Sequence, residues 1–413
     1  MQIEVHRAGR TFYAHSTVLL NIPHRQLDGL LARPDWPAVV ASKYLGLPDT
    51  AGRSLLDLSQ AASARPTRSA GELSNSQLDD LMRRQERGEL TAEQMIAQMQ
   101  NMRKHPAAEI ELEAKVAEAV VSHSGVSRPV WEEAGYELLE TLLPGSGLIS
   151  DKTGIRRELP KEAEEVSTRM GIHSISLEDE FPIVTATYGY SRAEFRPNEC
   201  RLNPFPSDRD HGGKFPVFVD QVHADAIIVR LDAERVIEWL ELNGHAIDLP
   251  RATSTSVSQK SAFVKMFQDV SLHETIPPEA APARLTFGLL HTLSHLSVRR
   301  AALLCGLDHT SLSEYLFPRS LSYAIYCNHR FGATIGALTS LFEQTASEWL
   351  SSIESSDKCV YDPVCKETTG NCHVCLHLAE TSCRFFNLNL NRALLFGGKD
   401  TQLGRIKVGY LTI

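Results

Sequence analysis

The chain of 413 residues is 42% hydrophobic and 23% charged, an ordinary globular composition with room for two or three domains. Its net charge of −9 denies it the overall basic footprint of a protein that holds nucleic acid by charge alone. No apolar run approaches the roughly 18 residues a membrane helix requires. The opening "MQIEVHRAGRTFYAH" lacks the apolar core of a signal peptide, so the expectation is a cytoplasmic protein whose eight cysteines are reduced.

In chain order, "EVHRAGRTFYAHSTVLLNIP" alternates and is rich in β-branched and aromatic residues. It predicts one or two strands ended by Pro23. "HRQLDGLLARPDWPAVVASKYLGLP" predicts short helical pieces broken by Pro34, Pro37 and Pro48. A Ser-rich linker follows, and then a polar helical stretch from Gln77 to Pro106, in which Thr91 and Gln94 have capping-box spacing. This helical insertion, about residues 60–125, carries no chemistry of its own.

From about Met170 the pattern turns mixed. "GIHSISL", "PIVTATYGY" and "DAIIVRL" predict strands, with the acidic "LEDEF" between the first two read as a solvated edge or turn. "DAERVIEWLELNG" predicts a helix capped by Asp232 and ended at Gly244. A second helical block, "RLTFGLLHTLSHLSVRRAALLCG", closes at Gly306. "LSYAIYC" predicts a strand, and "GATIGALTSLFEQTASEWLSSIESS" a helix that leads into a cysteine cluster.

That cluster, "CVYDPVCKETTGNCHVCLHLAETSC", places five cysteines in 25 residues. Cys372 and Cys375 form a C-x2-C knuckle whose two thiolates can bind one ion, Asp362-Pro363 turns the chain between Cys359 and Cys365, and Gly370-Asn371 reverses it ahead of the knuckle. The expected ligands of a closed, structural Zn2+ are Cys359, Cys365, Cys372 and Cys375, with Cys383 as the spare thiolate and His373 or His377 as substitutes. Lys358, Lys366 and Arg384 are the expected positive neighbours of its negative shell.

"LLHTLSHLSVRRAALLCGLDHTSLSEYLF", "GATIGALTSLF" and the cysteine segment through Gly398 resemble the C-terminal zinc-binding domain shared by two bacterial sets. These are DrmB subunits of the DISARM anti-phage system and MrfA-type DNA-repair helicases. The DrmB likeness is the closer. It rests on Tyr361-Asp362-Pro363-Val364-Cys365, Cys372-His373-Val374-Cys375-Leu376-His377, Glu380-Thr381-Ser382-Cys383 and Asn387 through Leu395. "PIVTATYGYSR" and "AIIVRLDAERVIEWL" also look DrmB-like, whereas an N-terminal part found in longer family members is not evident in this chain. The resemblance implies a zinc-stabilised accessory subunit without chemistry of its own, partnering the DNA helicase of the same defence system and helping to engage phage DNA.

Enzymatic signals are incomplete. His291 and His295 have the i, i+4 spacing of a zincin pair, but Thr292 stands where the general base would be. Lys214 in "DHGGKFP" lacks the glycine and hydroxyl of a phosphate loop. Basic groupings occur at Arg299-Arg300, at Arg83, Arg84 and Arg87, and in the tail "GRIKVGY"; Arg299 and Arg300 are the weak candidates for phosphate contact.

The expected fold is α+β, mostly helical with small mixed or antiparallel sheets and a C-terminal zinc-binding unit. Its regions are residues 1–145, a mixed middle over 146–280 and a helical unit over 281–413. The alternatives to the accessory role are a metal-dependent hydrolase using His291 and His295, and a stand-alone DNA-binding module.

Overall fold

The computed structural model describes residues 12–63, 106–146, 148, 158–192, 201–207, 209–328, 336–379 and 382–413. The fold is α+β. Its larger sheet is built from β1 (Phe12–Leu20), β2 (Ile172–Arg192), β3 (Leu202–Pro204), β4 (Phe218–Leu231), β5 (Leu312–Phe317) and β6 (Ser322–Cys327). These lie in the order β1-β2-β4-β6-β5, with β3 against β2, and every pairing is antiparallel.

Side chains alternate across the pleat, so one face collects Phe181, Ile183, Ala226, Ile228, Tyr315, Phe317 and Tyr326 into a core. The register that sets Ile227 beside Ile325, and Ile325 beside Glu314, places those three on the other face. An acidic residue there is unusual, since β5 is buried along its whole length.

The partner of this second face is the 25-residue helix Ala281–Cys305. Pro282 starts it, and Gly306 ends it in the left-handed region at φ +66°. Its apolar residues run round most of its circumference, which is the pattern of an interior helix. It is indeed buried from Ala281 to Val298 except at Pro282, carrying His291, Thr292, Ser294 and His295 inward with it. The Ser297 and Tyr323 hydroxyls meet at 2.9 Å, and Trp349 Nε1 donates to the Ser297 carbonyl at 3.1 Å.

Two compact units form. One takes in the described residues up to Ile22, Leu143–Asp248 and Asp269–Ile413, and holds both sheets. The other, Pro23–Leu142 with Leu249–Gln268, is helical around Leu27, Leu30, Val40, Trp131 and Leu138. Lys260 Nζ ties its two chain segments by donating to the Tyr44 carbonyl at 2.8 Å.

Several elements differ from their sequence pattern. "GIHSISL" and "PIVTATYGY" are one 21-residue strand, and "LEDEF" lies inside it rather than at a turn. The pairing with β4 shifts register between Glu178 and Phe181, which accommodates the acidic run without ending the strand. Pro37 does not break a helix but stands in the first turn of Trp36–Leu45, where its missing N–H has no partner to lose. "GATIGALTSLFEQTASEWLSSIESS" gives two helices, Ala337–Gln344 and Ala346–Glu354, parted at Thr345. The tail "GRIKVGY" is structural: β7 (Gly398–Asp400) pairs with β8 (Gly404–Ile406), Trp239 Nε1 donates to Val408 O at 2.9 Å, and Tyr410 Oη donates to Gly171 O at 2.6 Å. The capping box at Thr91 and Gln94 and the arginines 83, 84 and 87 lie outside the described residues. Among those described, no helix is long and apolar enough to cross a membrane.

Candidate metal centre

The chain between Ser355 and Leu376 turns on itself twice, and each turn has an identifiable cause. Asp362 holds the first: Oδ2 accepts from the Cys359 amide at 2.8 Å, and Oδ1 from the Lys366 amide at 3.1 Å. Gly370 makes the second in the left-handed region at φ +66°, where a Cβ would lie 2.0 Å from Asn391 Oδ1, so no side chain fits. The knuckle then closes with the Leu376 amide donating to Cys372 O at 2.9 Å.

These turns bring the Sγ atoms of Cys359, Cys365, Cys372 and Cys375 within 4.8 Å of one another. The separations are 3.6 Å for Cys359–Cys372, 3.8 Å for Cys365–Cys375 and 3.6 Å for Cys372–Cys375. A tetrahedron with Zn–S bonds of about 2.3 Å has edges of about 3.8 Å, so the donor set and its spacing fit a zinc ion. They do not fit a disulfide, which needs about 2.05 Å between sulfurs.

Two guanidiniums serve this group. Arg392 grips Asp362 with both terminal nitrogens, at 2.6 Å and 3.1 Å, and Nη1 also donates to Asp357 O at 2.7 Å. Burial pushes the Cys365 thiol up, and Arg392 beside it works against that. Burial likewise opposes ionisation of Cys372, but the amides of Cys375 and Val374 bring that thiol down to about 7. Arg299 donates to Val374 O at 2.5 Å and to His377 O at 3.0 Å, gripping the knuckle on both sides. Burial lowers Arg299, while Cys375, Cys372 and Cys359 favour its charge. The expected neighbour Arg384 lies elsewhere, over the ring of Tyr315 at 5.4 Å.

Arg299 and Arg300, the weak candidates for phosphate contact, are half-buried and engaged with the chain itself, Arg300 through Ser356 Oγ at 2.9 Å and 3.0 Å. Both line a cleft of about 440 Å³ beside Cys359 and Cys375, with Lys358 and His309. His373 and His377 stack edge to face at 4.7 Å, and neither joins the candidate ligand atoms.

Cys383 is not beside the other four cysteines. Its sulfur lies 3.3 Å from His291 Nε2, in a separate group with His295 and Glu314. The sequence reading did not single out Glu314; the signal was a carboxylate in the otherwise apolar "LSEYLF". The asparagines of "FNLNLN", within the DrmB-like stretch Asn387 through Leu395, each pin a different segment. Asn387 brackets the Leu378 amide and carbonyl, Asn389 takes Arg284 Nη1 at 3.0 Å, and Asn391 donates to Asp400 Oδ2 at 3.0 Å.

No family model matches the chain. It is similar to the DISARM protein DrmB of Bacillus paralicheniformis (strain ATCC 9945a / NCIMB 11709 / CD-2), with 22% identity over 214 residues. The match covers 46% of this chain and 35% of the relative, so the chain spans about a third of the relative's length. The similarity supports a DrmB-like relationship.

Proposed function

We propose that the chain is a non-enzymatic, zinc-binding accessory subunit of a DISARM-type anti-phage complex. It partners the DNA helicase of that system and helps it engage phage DNA. Its C-terminal region is of the kind shared with MrfA-type helicases.

The observation that carries this reading is the convergence of Cys359, Cys365, Cys372 and Cys375 on one point. Four thiolates fill a tetrahedral shell and leave no position for water, which is the arrangement of a structural zinc rather than a catalytic one. The similarity to a DISARM protein supplies the biological setting. A hydrolase at His291 and His295 lacks support, because both imidazoles and Glu314 are completely shut from solvent.

The test is co-expression of the full chain with the helicase of its own defence system. The helicase co-purifies with the wild-type chain and is lost, together with the zinc of the cysteine centre, from Cys372→Ser/Cys375→Ser. A wild-type chain that captures no helicase, or a variant without that zinc that captures it equally well, overturns the proposal.

A further inference from the structure

We propose that His291, His295, Glu314 and Cys383 form a second, closed binding site for a divalent cation, best suited to zinc. It shares no ligand with the four-cysteine centre. Three separate parts of the chain supply the four groups. The histidines come from successive turns of the helix Ala281–Cys305, the glutamate from the middle of β5, and the cysteine from the segment before the asparagine run. Their ligand atoms lie within 4.8 Å of one another, and all four residues are buried.

The hydrogen-bonding pattern identifies what belongs between them. His291 Nδ1 lies 2.8 Å from Leu388 O, and His295 Nδ1 lies 2.8 Å from Leu376 O. A carbonyl can only accept, so each Nδ1 carries a hydrogen. In a neutral imidazole the Nε2 is then a bare lone pair, and both Nε2 atoms point inward. They face the same carboxylate oxygen, Glu314 Oε1, at 3.0 Å and 3.2 Å. The Cys383 sulfur, 3.3 Å from His291 Nε2, already accepts the Asn387 amide at 3.3 Å.

Four electron-pair donors therefore converge in a site sealed from water. One proton on Glu314 can satisfy only one imidazole, a proton on the Cys383 thiol is at best a weak donor to the other, and protonating both rings would bury two cations against one carboxylate. A divalent cation satisfies all four at once. With a carboxylate, a thiolate and two neutral imidazoles its charge sums to zero, so the site carries no net charge into the interior.

The geometry agrees with that reading. Zinc bonds of about 2.0–2.3 Å give tetrahedral edges of about 3.3–3.8 Å; three edges of this group measure 3.0–3.3 Å, and all its ligand atoms lie within 4.8 Å of one another. Holding the far nitrogen of each histidine on a carbonyl is how proteins orient metal-binding imidazoles. The Ser294 hydroxyl does the same for Glu314 Oε2. With four protein ligands the shell is full, so the ion is structural. It would pin the interior helix to β5 and to the segment following the knuckle.

The test is a metal count on the purified full chain by inductively coupled plasma and native mass spectrometry. The proposal expects two zinc ions per wild-type chain. It expects one in His291→Ala/Cys383→Ser, and one also in Cys372→Ser/Cys375→Ser. The wild-type count stands even if a variant fails to fold. A single wild-type zinc that is lost with Cys372 overturns the second site and leaves the first intact. A single zinc lost with Cys383 instead upholds the second site and removes the cysteine centre. Two ions retained by His291→Ala/Cys383→Ser also overturn the proposal.

Discussion

His295 Nδ1 donates to the carbonyl of Leu376, one residue beyond the last cysteine of the knuckle, at 2.8 Å. One turn further along the same helix, Arg299 takes the carbonyls of Val374 and His377. The helix therefore holds three carbonyls of the knuckle, and the loop that shapes the cysteine centre is set by a buried helix some 75 residues earlier in sequence.

Replacing Arg299 by Ala removes two charge-assisted hydrogen bonds and leaves those carbonyls unmet. The expected cost is about 2 kcal/mol. It should be read as a lower unfolding midpoint and faster zinc loss to a chelator. If Arg299 instead serves mainly to bind phosphate, the midpoint stays put and the salt dependence of DNA binding falls.

The Arg392–Asp362 pair is buried on the arginine side and makes two parallel contacts. Arg392→Ala leaves the carboxylate that organises the Cys359 and Cys365 turn without its counter-charge. Denaturant unfolding should show a loss of about 3 kcal/mol. Arg392→Lys should recover only part of it, because an ammonium cannot make the two-pronged contact.

Gly288 lies one turn before His291, and a Cβ there would stand 2.6 Å from Asn389 O and 2.8 Å from Leu394 Cδ1. Gly288→Ala must push away the segment whose Leu388 carbonyl holds His291. A thermal melt should register a loss of about 1–3 kcal/mol, despite alanine's better helix propensity. A neutral or stabilised variant would contradict the close packing.

Asp400 supplies the pH dependence. Burial alone would raise its carboxyl, but the amides of Leu403 and Gln402, with Asn391 and Arg284, hold it below the ordinary value. A depressed folded-state value stabilises the protein above the unfolded aspartate value of about 3.9 and loses that effect as the pH falls below it. Asp400→Asn should therefore be less stable than the wild type at neutral pH. The gap should close in acid unfolding curves below about pH 4; a constant gap would assign the effect to packing.

The cysteine centre was legible because all four thiols fall within 17 residues, so local turns at Asp362 and Gly370 suffice to gather them. The Asp232 cap and the Gly306 stop were legible for the same reason, each being a choice made within one helical turn. The surroundings were not. Glu314 lies 19 residues from His295 and Cys383 lies 92 from His291, and only the packing of helix on sheet brings them together. Arg392 meets Asp362 across 30 residues, and neither spacing nor residue type announces the pair. The length of β2 was hidden because an acidic run inside a strand looks like its end, and a register shift absorbs it instead.

The most direct test of the cysteine centre is native mass spectrometry of the full wild-type chain beside Cys372→Ser. The variant should carry one zinc fewer than the wild type. Equal metal content in the two proteins would contradict it.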